Sequence, residues 1–180
     1  MTIAIGEPVR LDLGCGLAKR PGFFGVDIVH TTSVDVVCDF DLFALPFRDS
    51  VADVVVMSDV LEHMTRVPQL MQELHRVLKP GGILQISVPH YSHPRTYGDP
   101  THTRHFSMRT VEYLSGQSHS YYGGGHFRVL KALLGQPSGG RLRRIINRRP
   151  YLYEMTVARF LPVASMFWEL EAVKPPSSLT

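Results

Sequence analysis

Short apolar runs punctuated by glycine and proline dominate the first half of the chain. Val9–Leu13 reads as a buried strand and is broken by Gly14-Cys15-Gly16. Phe23–Ile28 predicts a second strand, Val34–Cys38 a third, and Val54–Met57, rich in β-branched residues, a fourth. The period then changes. Between Val67 and Lys79 the apolar residues Leu70, Met71, Leu74, Val77 and Leu78 fall on one helical face, and Pro68 suits a first turn. Pro80-Gly81-Gly82 stops that helix, and Ile83–Val88 predicts a fifth strand. Strands interleaved with crossovers imply a parallel α/β sheet whose functional loops lie at the carboxyl ends of its strands.

The second half is less regular. Residues 89–106 form a His-, Pro- and Thr-rich stretch too long for a plain connection. Ser107 is placed to cap a helix that runs through Leu114 and ends at Gly116. Gly123-Gly124-Gly125 precede a strand at Phe127–Leu130, and residues 141–149 (RLRRIINRR) and 151–161 read as helical. Trp168–Lys174 alternates like a last strand before a frayed PPSSLT tail.

A length of 180 residues predicts one domain over 1–180, and 44% apolar residues suffice for a core. With 19 Lys+Arg against 16 Asp+Glu the net charge is only +3, which excludes a disordered charged tail and demands no nucleic acid. The start MTIAIGEPVR lacks the pattern of a secretory signal, and no apolar run approaches the ~18 residues of a membrane span. Cys15 and Cys38 are not spaced as CxxC, so free thiols and a cytoplasmic setting are expected.

The first candidate site follows from the glycine break. A strand ending in Gly14-x-Gly16 lets backbone approach a ligand closely, and Asp27, at the end of the next strand, can accept both hydroxyls of a ribose. The bland alternative is a tight turn with a solvated carboxylate. A dinucleotide fingerprint would place a third glycine where Lys19 stands, followed by a full helix. Only Leu17 to Gly22 separate Gly16 from the second strand, whereas a crossover with a helix needs about 10–12 residues. The first crossover helix is therefore expected to be a turn or absent. A pyrophosphate would lack its helix N-terminus, so the site suits a nucleoside without phosphates better than NAD.

Four segments together resemble class I S-adenosylmethionine-dependent methyltransferases of the small "methyltransferase 11-like" group. These are VRLDLGCG, FFGVDI, CDFDLFALPFRDSVADVVVMSDVLEHM and LHRVLKPGGILQISVP. The resemblance is close over residues 9–90 and holds beyond them only in the order of elements. It implies a Rossmann-like α/β sheet of seven strands in order 3-2-1-4-5-7-6, the seventh antiparallel, with S-adenosylmethionine as cofactor. Asp12, Gly14 and Gly16 would form the loop around the methionine portion. Asp27 would take the ribose hydroxyls, with Ile28 on the adenine. Asp39 and the backbone of Phe40 would meet the adenine edge, and Ser58, Asp59 and His63 would lie near the methionyl end. Asp53 fits a structural position of the family. The short first crossover and an insertion at 131–166 depart from the family pattern.

Methyl transfer from a sulfonium is an in-line displacement in which positioning supplies much of the rate, and a hydroxyl acceptor gains from a general base. Six of the nine histidines (His90, His93, His102, His105, His119 and His126) lie in the acceptor-side loop 89–126. His102, flanked by Asp99, is the first candidate base and His93 the second; Tyr91, Tyr97 and Phe106 could pack on an acceptor. His90-x-x-His93 and His102-x-x-His105 offer four ligands, but in a Pro-rich loop rather than on a helix, so no metal is expected. Arg141, Arg144 and Arg148 would share one solvated helix face, with an anionic acceptor or acidic membrane surface as alternatives. Apolar residues around Phe160–Phe167 would pack on the sheet or form a homodimer interface. The expected activity is methylation of an oxygen or nitrogen on a small-molecule or saccharide-type acceptor. The alternatives are a cofactor-binding protein of the same fold without turnover and, less favoured, an NAD-dependent oxidoreductase.

Overall fold

The computed structural model describes residues 7–116, 126–138 and 140–174; His119, Gly123–Gly125 and the PPSSLT tail lie outside them. Seven strands form one sheet in the order β3-β2-β1-β4-β5-β7-β6, the order expected. They are β1 (Arg10–Leu13), β2 (Phe24–Asp27), β3 (Val36–Val37), β4 (Ala52–Ser58), β5 (Leu78–Pro89), β6 (Phe127–Leu134) and β7 (Ser165–Ala172). β1 lies parallel between β2 and β4, β4 is parallel to β5, and β7 runs antiparallel to both β5 and β6.

The long helix α1 spans Val67–Val77, and Val67, Leu70, Met71, Leu74 and Val77 form its buried stripe. Each such side chain is worth about 1.5–3 kcal/mol when fully buried. They pack in one cluster with Leu11, Leu13, Val55, Met57, Leu84, Ile86, Trp168 and Leu170, which point alternately to a single face of the sheet. No side chain caps the start of α1 from its own N-cap residue. Asp41 does so from the β3–β4 loop, accepting from the backbone N–H of Thr65 (2.9 Å) and Arg66 (3.0 Å) and from the Thr65 hydroxyl (2.6 Å). Arg76 fixes the rest of that loop. It donates to Glu73 (2.6 Å), Asp49 (2.6 Å) and the carbonyls of Phe47 (2.9 Å) and Leu45 (3.1 Å). Asp53 holds the strand start, as expected, accepting from Lys79 Nζ (2.7 Å) and Val9 N (2.8 Å).

No helix occurs between β1 and β2, where residues 14–23 make two turns closed by Ala18 N to Cys15 O and Phe23 N to Arg20 O. The next two crossovers also lack one. A parallel sheet ordinarily carries helices on both faces; here the second face shows the cost of their absence in its composition. Asp12, Val56, Gln85, Glu169 and Lys131 stand side by side across β1, β4, β5, β7 and β6. Gln85 and Lys131 both donate to Glu169 (3.0 and 2.6 Å), so this polar row satisfies itself.

The second half departs from the sequence expectations in several places. β6 continues to Leu134, so the insertion begins later than 131, and β7 starts at Ser165 because its alternation extends back through Met166. Within the acceptor-side loop a short helix α2 spans Arg95–Gly98. Helix α3 covers only Thr110–Leu114, since Ser107 opens a turn with Thr110 (Thr110 N to Ser107 O, 3.0 Å) instead of capping the helix. α4 (Arg141–Ile146) and α5 (Pro150–Thr156) are shorter than the two predicted helices. Phe160 is exposed, whereas Val163 and Met166 are buried. Both cysteines are free thiols. Among the described residues no helix is long and apolar enough to cross a membrane.

Candidate functional site

Two adjoining pockets open at the carboxyl ends of β1, β2, β4 and β5. The first, of about 260 Å³, is lined by Gly14, Asp27, Ile28, Cys38, Asp39, Phe40, Asp41, Asp59, Val60, His63 and Met64. Gly14 and Gly16 both take left-handed φ values, +71° and +56°, open to glycine at little cost. Asp27 anchors the bend: its Oδ2 accepts from Gly16 N (2.9 Å) and its Oδ1 from Val29 N (3.0 Å). Asp39 Oδ1 accepts from Asp41 N (3.2 Å) and Leu42 N (3.3 Å), which aims the carboxyl group of this loop at the pocket that it lines. Phe40 is buried beside it and Ile28 is 58% exposed at the mouth, where an aromatic ligand would cover it. Four carboxylates and no Lys or Arg line the pocket, a lining that repels phosphate and favours a cationic ligand.

Asp12 and Ser58 do not line this pocket. Buried Asp12 accepts from Arg20 N (2.8 Å) and ties the turn after the glycines to β1. The Ser58 hydroxyl accepts from Arg20 Nη2 (2.8 Å) in a separate hollow of about 390 Å³ on the polar face of the sheet. Cys38 is held protonated more firmly than a free thiol, first by burial and then by the charge of Asp39.

The second pocket, about 580 Å³, is lined by Asp59, Glu62, His63, Arg95, Gly98, Asp99, Pro100 and His102. Asp59 and His63 are walls of both pockets. Asp59 sits at the end of β4 with φ +52°, a strained conformation for a non-glycine residue, and pairs with Arg95 (3.1 Å). Loop 99–104 is strapped over the 3-10 turn Leu61–His63, with Thr103 N and Arg104 N donating to the Glu62 carbonyl (2.9 and 3.2 Å). His102 Nδ1 donates to the Thr96 carbonyl (2.9 Å), which leaves Nε2 with its lone pair, 3.9 Å from Asp99 and 4.0 Å from Glu62. Asp99 accepts from the Thr101 hydroxyl (2.6 Å) and N–H (2.8 Å), which holds its carboxyl below the usual range. Burial pushes the Glu62 carboxyl up to about 7, reinforced by the charge of Asp59 and opposed by His102 and Arg95.

The remaining histidines of the loop go elsewhere. His93 does not line either pocket, and its Nδ1 accepts from Arg95 N (3.2 Å). His90 is fully buried and bonds Ser92 Oγ (2.8 Å) and Glu154 Oε1 (2.9 Å), so it pins β5 to α5. His105 packs on the exposed Tyr97 ring, and His119 is outside the described residues. The four-histidine metal set is therefore not formed. Phe106 belongs to the core, edge-on to Trp168 at 5.9 Å, and Tyr91 donates to the Glu154 carbonyl (3.0 Å). Glu62 and Arg95 were missed by sequence reasoning. Glu62 stands next to His63 in VLEHM, but nothing in the sequence signals that it is buried.

Residues 11–86 match a family model described as a methyltransferase domain. Over that stretch the chain is similar to S-adenosylmethionine-dependent methyltransferases. Over 111 residues the chain is 34% identical to a probable S-adenosylmethionine-dependent methyltransferase of Mycolicibacterium smegmatis, covering 55% of this chain and 42% of the relative. Over 58 residues it is 52% identical to the biotin biosynthesis bifunctional protein BioHC of Cellvibrio japonicus, covering 32% of this chain and 11% of that protein. The matched stretches thus cover less than half the length of these curated relatives. A crystal structure of a SAM dependent methyltransferase from Archaeoglobus fulgidus superposes with a TM-score of 0.65 at 20% identity, over 92% of this chain and 86% of that one. The chain shares its fold.

The acidic first pocket fits S-adenosylmethionine, the cofactor of the methyltransferases that the chain resembles. Its carboxylates at Asp27 and Asp39 could accept from hydroxyl and amino groups of such a ligand, and the lack of a Lys or Arg lining suits a nucleoside that carries a sulfonium and no phosphate.

Proposed function

We propose that this protein is an active S-adenosylmethionine-dependent methyltransferase that methylates an oxygen or nitrogen of a polar small-molecule or saccharide-type acceptor seated in the second pocket. The supporting observation is that Asp59 and His63 are common walls of the two pockets, so a donor in one meets an acceptor in the other. When bound, S-adenosylmethionine supplies an electrophilic methyl carbon and leaves as a neutral thioether. The chain's own residues hold the acceptor in line and take its proton. Arg95, Asp99 and His102 offer both donors and acceptors to a polyhydroxyl ligand. A methylated hydroxyl gives up one proton, and the lone pair of His102 Nε2 is the receiving atom, with Asp99 balancing the imidazolium from 3.9 Å. His93, off both pockets, has no part in that transfer.

The test is release of S-adenosylhomocysteine over a panel of sugars, polyols and amines. Acceptor-dependent release is expected, and His102→Ala should slow it by about 10²–10⁴-fold while cofactor affinity stays the same. Tight cofactor binding with no turnover on any acceptor would favour the binding protein that the missing first crossover helix suggests. Unchanged turnover in the variant would remove His102 from the base role.

A further inference from the structure

Glu62 is 1% exposed, and neither of its carboxylate oxygens has a hydrogen-bond partner among the described residues. Buried carboxylates are ordinarily paired or bound to metal, because desolvation without compensation is costly. What stands opposite is two imidazoles. One ligand atom each from Glu62, His63 and His102 lie within 4.8 Å of one another. The His102 ring is oriented through Nδ1 to the Thr96 carbonyl. The His63 ring bonds through Nδ1 to Thr101 Oγ1 (2.9 Å), whose own proton goes to Asp99 (2.6 Å). A hydroxyl that donates to a carboxylate accepts from its other neighbour, so His63 also carries its proton on Nδ1. Both rings therefore keep a free lone pair on Nε2, with a second partner fixing the tautomer, as metal-bound histidines do.

We propose that Glu62, His63 and His102 form a divalent-cation site in the wall of the acceptor pocket. Ligand atoms around such an ion, each at about 2.1 Å, stand roughly 3–3.4 Å apart, so a modest swing of the half-buried His63 closes the triangle. Two imidazoles and one carboxylate select a borderline first-row ion such as Zn²⁺, Co²⁺ or Ni²⁺ over Mg²⁺ or Ca²⁺. Three protein ligands beside an open pocket are the arrangement of a site that keeps a position free, here for an acceptor oxygen. In the loaded protein His102 is a ligand; in the metal-free protein its lone pair serves as the base. The site shares the acceptor pocket with the methyl-transfer reading, but its test needs neither donor nor acceptor.

Chelator-stripped protein is titrated with Co²⁺ and followed by visible d–d absorption. One Co²⁺ per chain is expected, displaced by Zn²⁺ and not by Mg²⁺. Affinity should fall by about 10–100-fold in both Glu62→Gln and His63→Ala. His63→Ala alters a half-buried side chain and Glu62→Gln keeps shape, so far-UV circular dichroism should match wild type for both. Absence of a saturable band, or a band that survives both substitutions, would overturn the site. Metal binding without turnover would leave the site standing and remove the enzyme assignment; turnover without metal binding would do the reverse.

Discussion

Substituting Gly14 by alanine perturbs the bend at two separable levels. The backbone there has φ +71°, which costs an L-residue about 1–2 kcal/mol. An added Cβ would also stand 2.3 Å from Val60 Cγ2 and 3.1 Å from Cγ1, well inside contact distance. Val60 is 8% exposed and precedes the 3-10 turn, so it has little room to swing away. Relieving such overpacking typically costs about 1–3 kcal/mol. Gly14→Ala should therefore lose about 2–5 kcal/mol, equivalent to a fall in Tm of roughly 4–20 °C for a chain of this size. Val60→Ala alone should cost about 1–2 kcal/mol for two methyl groups. In the double variant the clash is gone while the backbone cost and the Val60→Ala cost remain, so the two changes should couple by about 1–3 kcal/mol in the favourable direction. Urea unfolding of the four proteins measures this cycle. Strict additivity would refute the packing argument and leave backbone conformation as the whole reason for glycine at this position.

Gly16→Ala provides a contrast, because no protein atom lies within 4 Å of its added Cβ. Its stability should fall by only the ~1–2 kcal/mol of the left-handed backbone, as urea unfolding reports. The Asp41 carboxyl is held below the usual range by the hydrogen bonds from Thr65 and Arg66, which outweigh the opposing effect of its burial. Its unfolded value is near ~3.9, so the stabilisation is present above that pH and is lost as pH falls through the lower folded value. Asp41→Asn should be about 1–2 kcal/mol less stable at neutral pH, allowing for partial exposure, and unfolding curves of the two proteins should converge in acid. His90→Ala leaves Glu154 Oε1 with only the hydrogen bond from Met108 N (2.7 Å) and should cost about 1–3 kcal/mol by thermal unfolding, with cofactor affinity unchanged in the folded protein.

The sheet was legible because its central strands are short, mainly apolar segments bounded by glycine and proline, and α1 because its stripe repeats at helical spacing. The missing first helix was legible from residue count alone. Beyond residue 89 the pattern weakens. β6 alternates exposed and half-buried positions such as Lys131 and Ala132, so its true length is invisible without β7 beside it. Within the site, Gly14, Asp27 and Asp39 announce themselves by spacing after strands. Asp12 carries the same kind of signal, yet its carboxylate turns to Arg20 N, a contact fixed by how the loop folds back. Phe106 and His90 show the same limit in the other direction. Their aromatic and titratable chemistry suggested an acceptor site, and long-range packing on Trp168 and Glu154 consumes it. Glu62 is hidden for the opposite reason, since its burial belongs to a turn over which the distant Thr103 and Arg104 fold back, a contact the local sequence does not show.

Calorimetric titration of S-adenosylhomocysteine into wild-type protein and Asp27→Ala tests the adenosine pocket most directly. Saturable 1:1 binding is expected in the wild type, weakened by about 10–100-fold when the carboxylate that holds Gly16 N, and that we propose meets the ribose, is removed. Equal affinity in the two proteins, or no saturable binding to the wild type, would contradict the account.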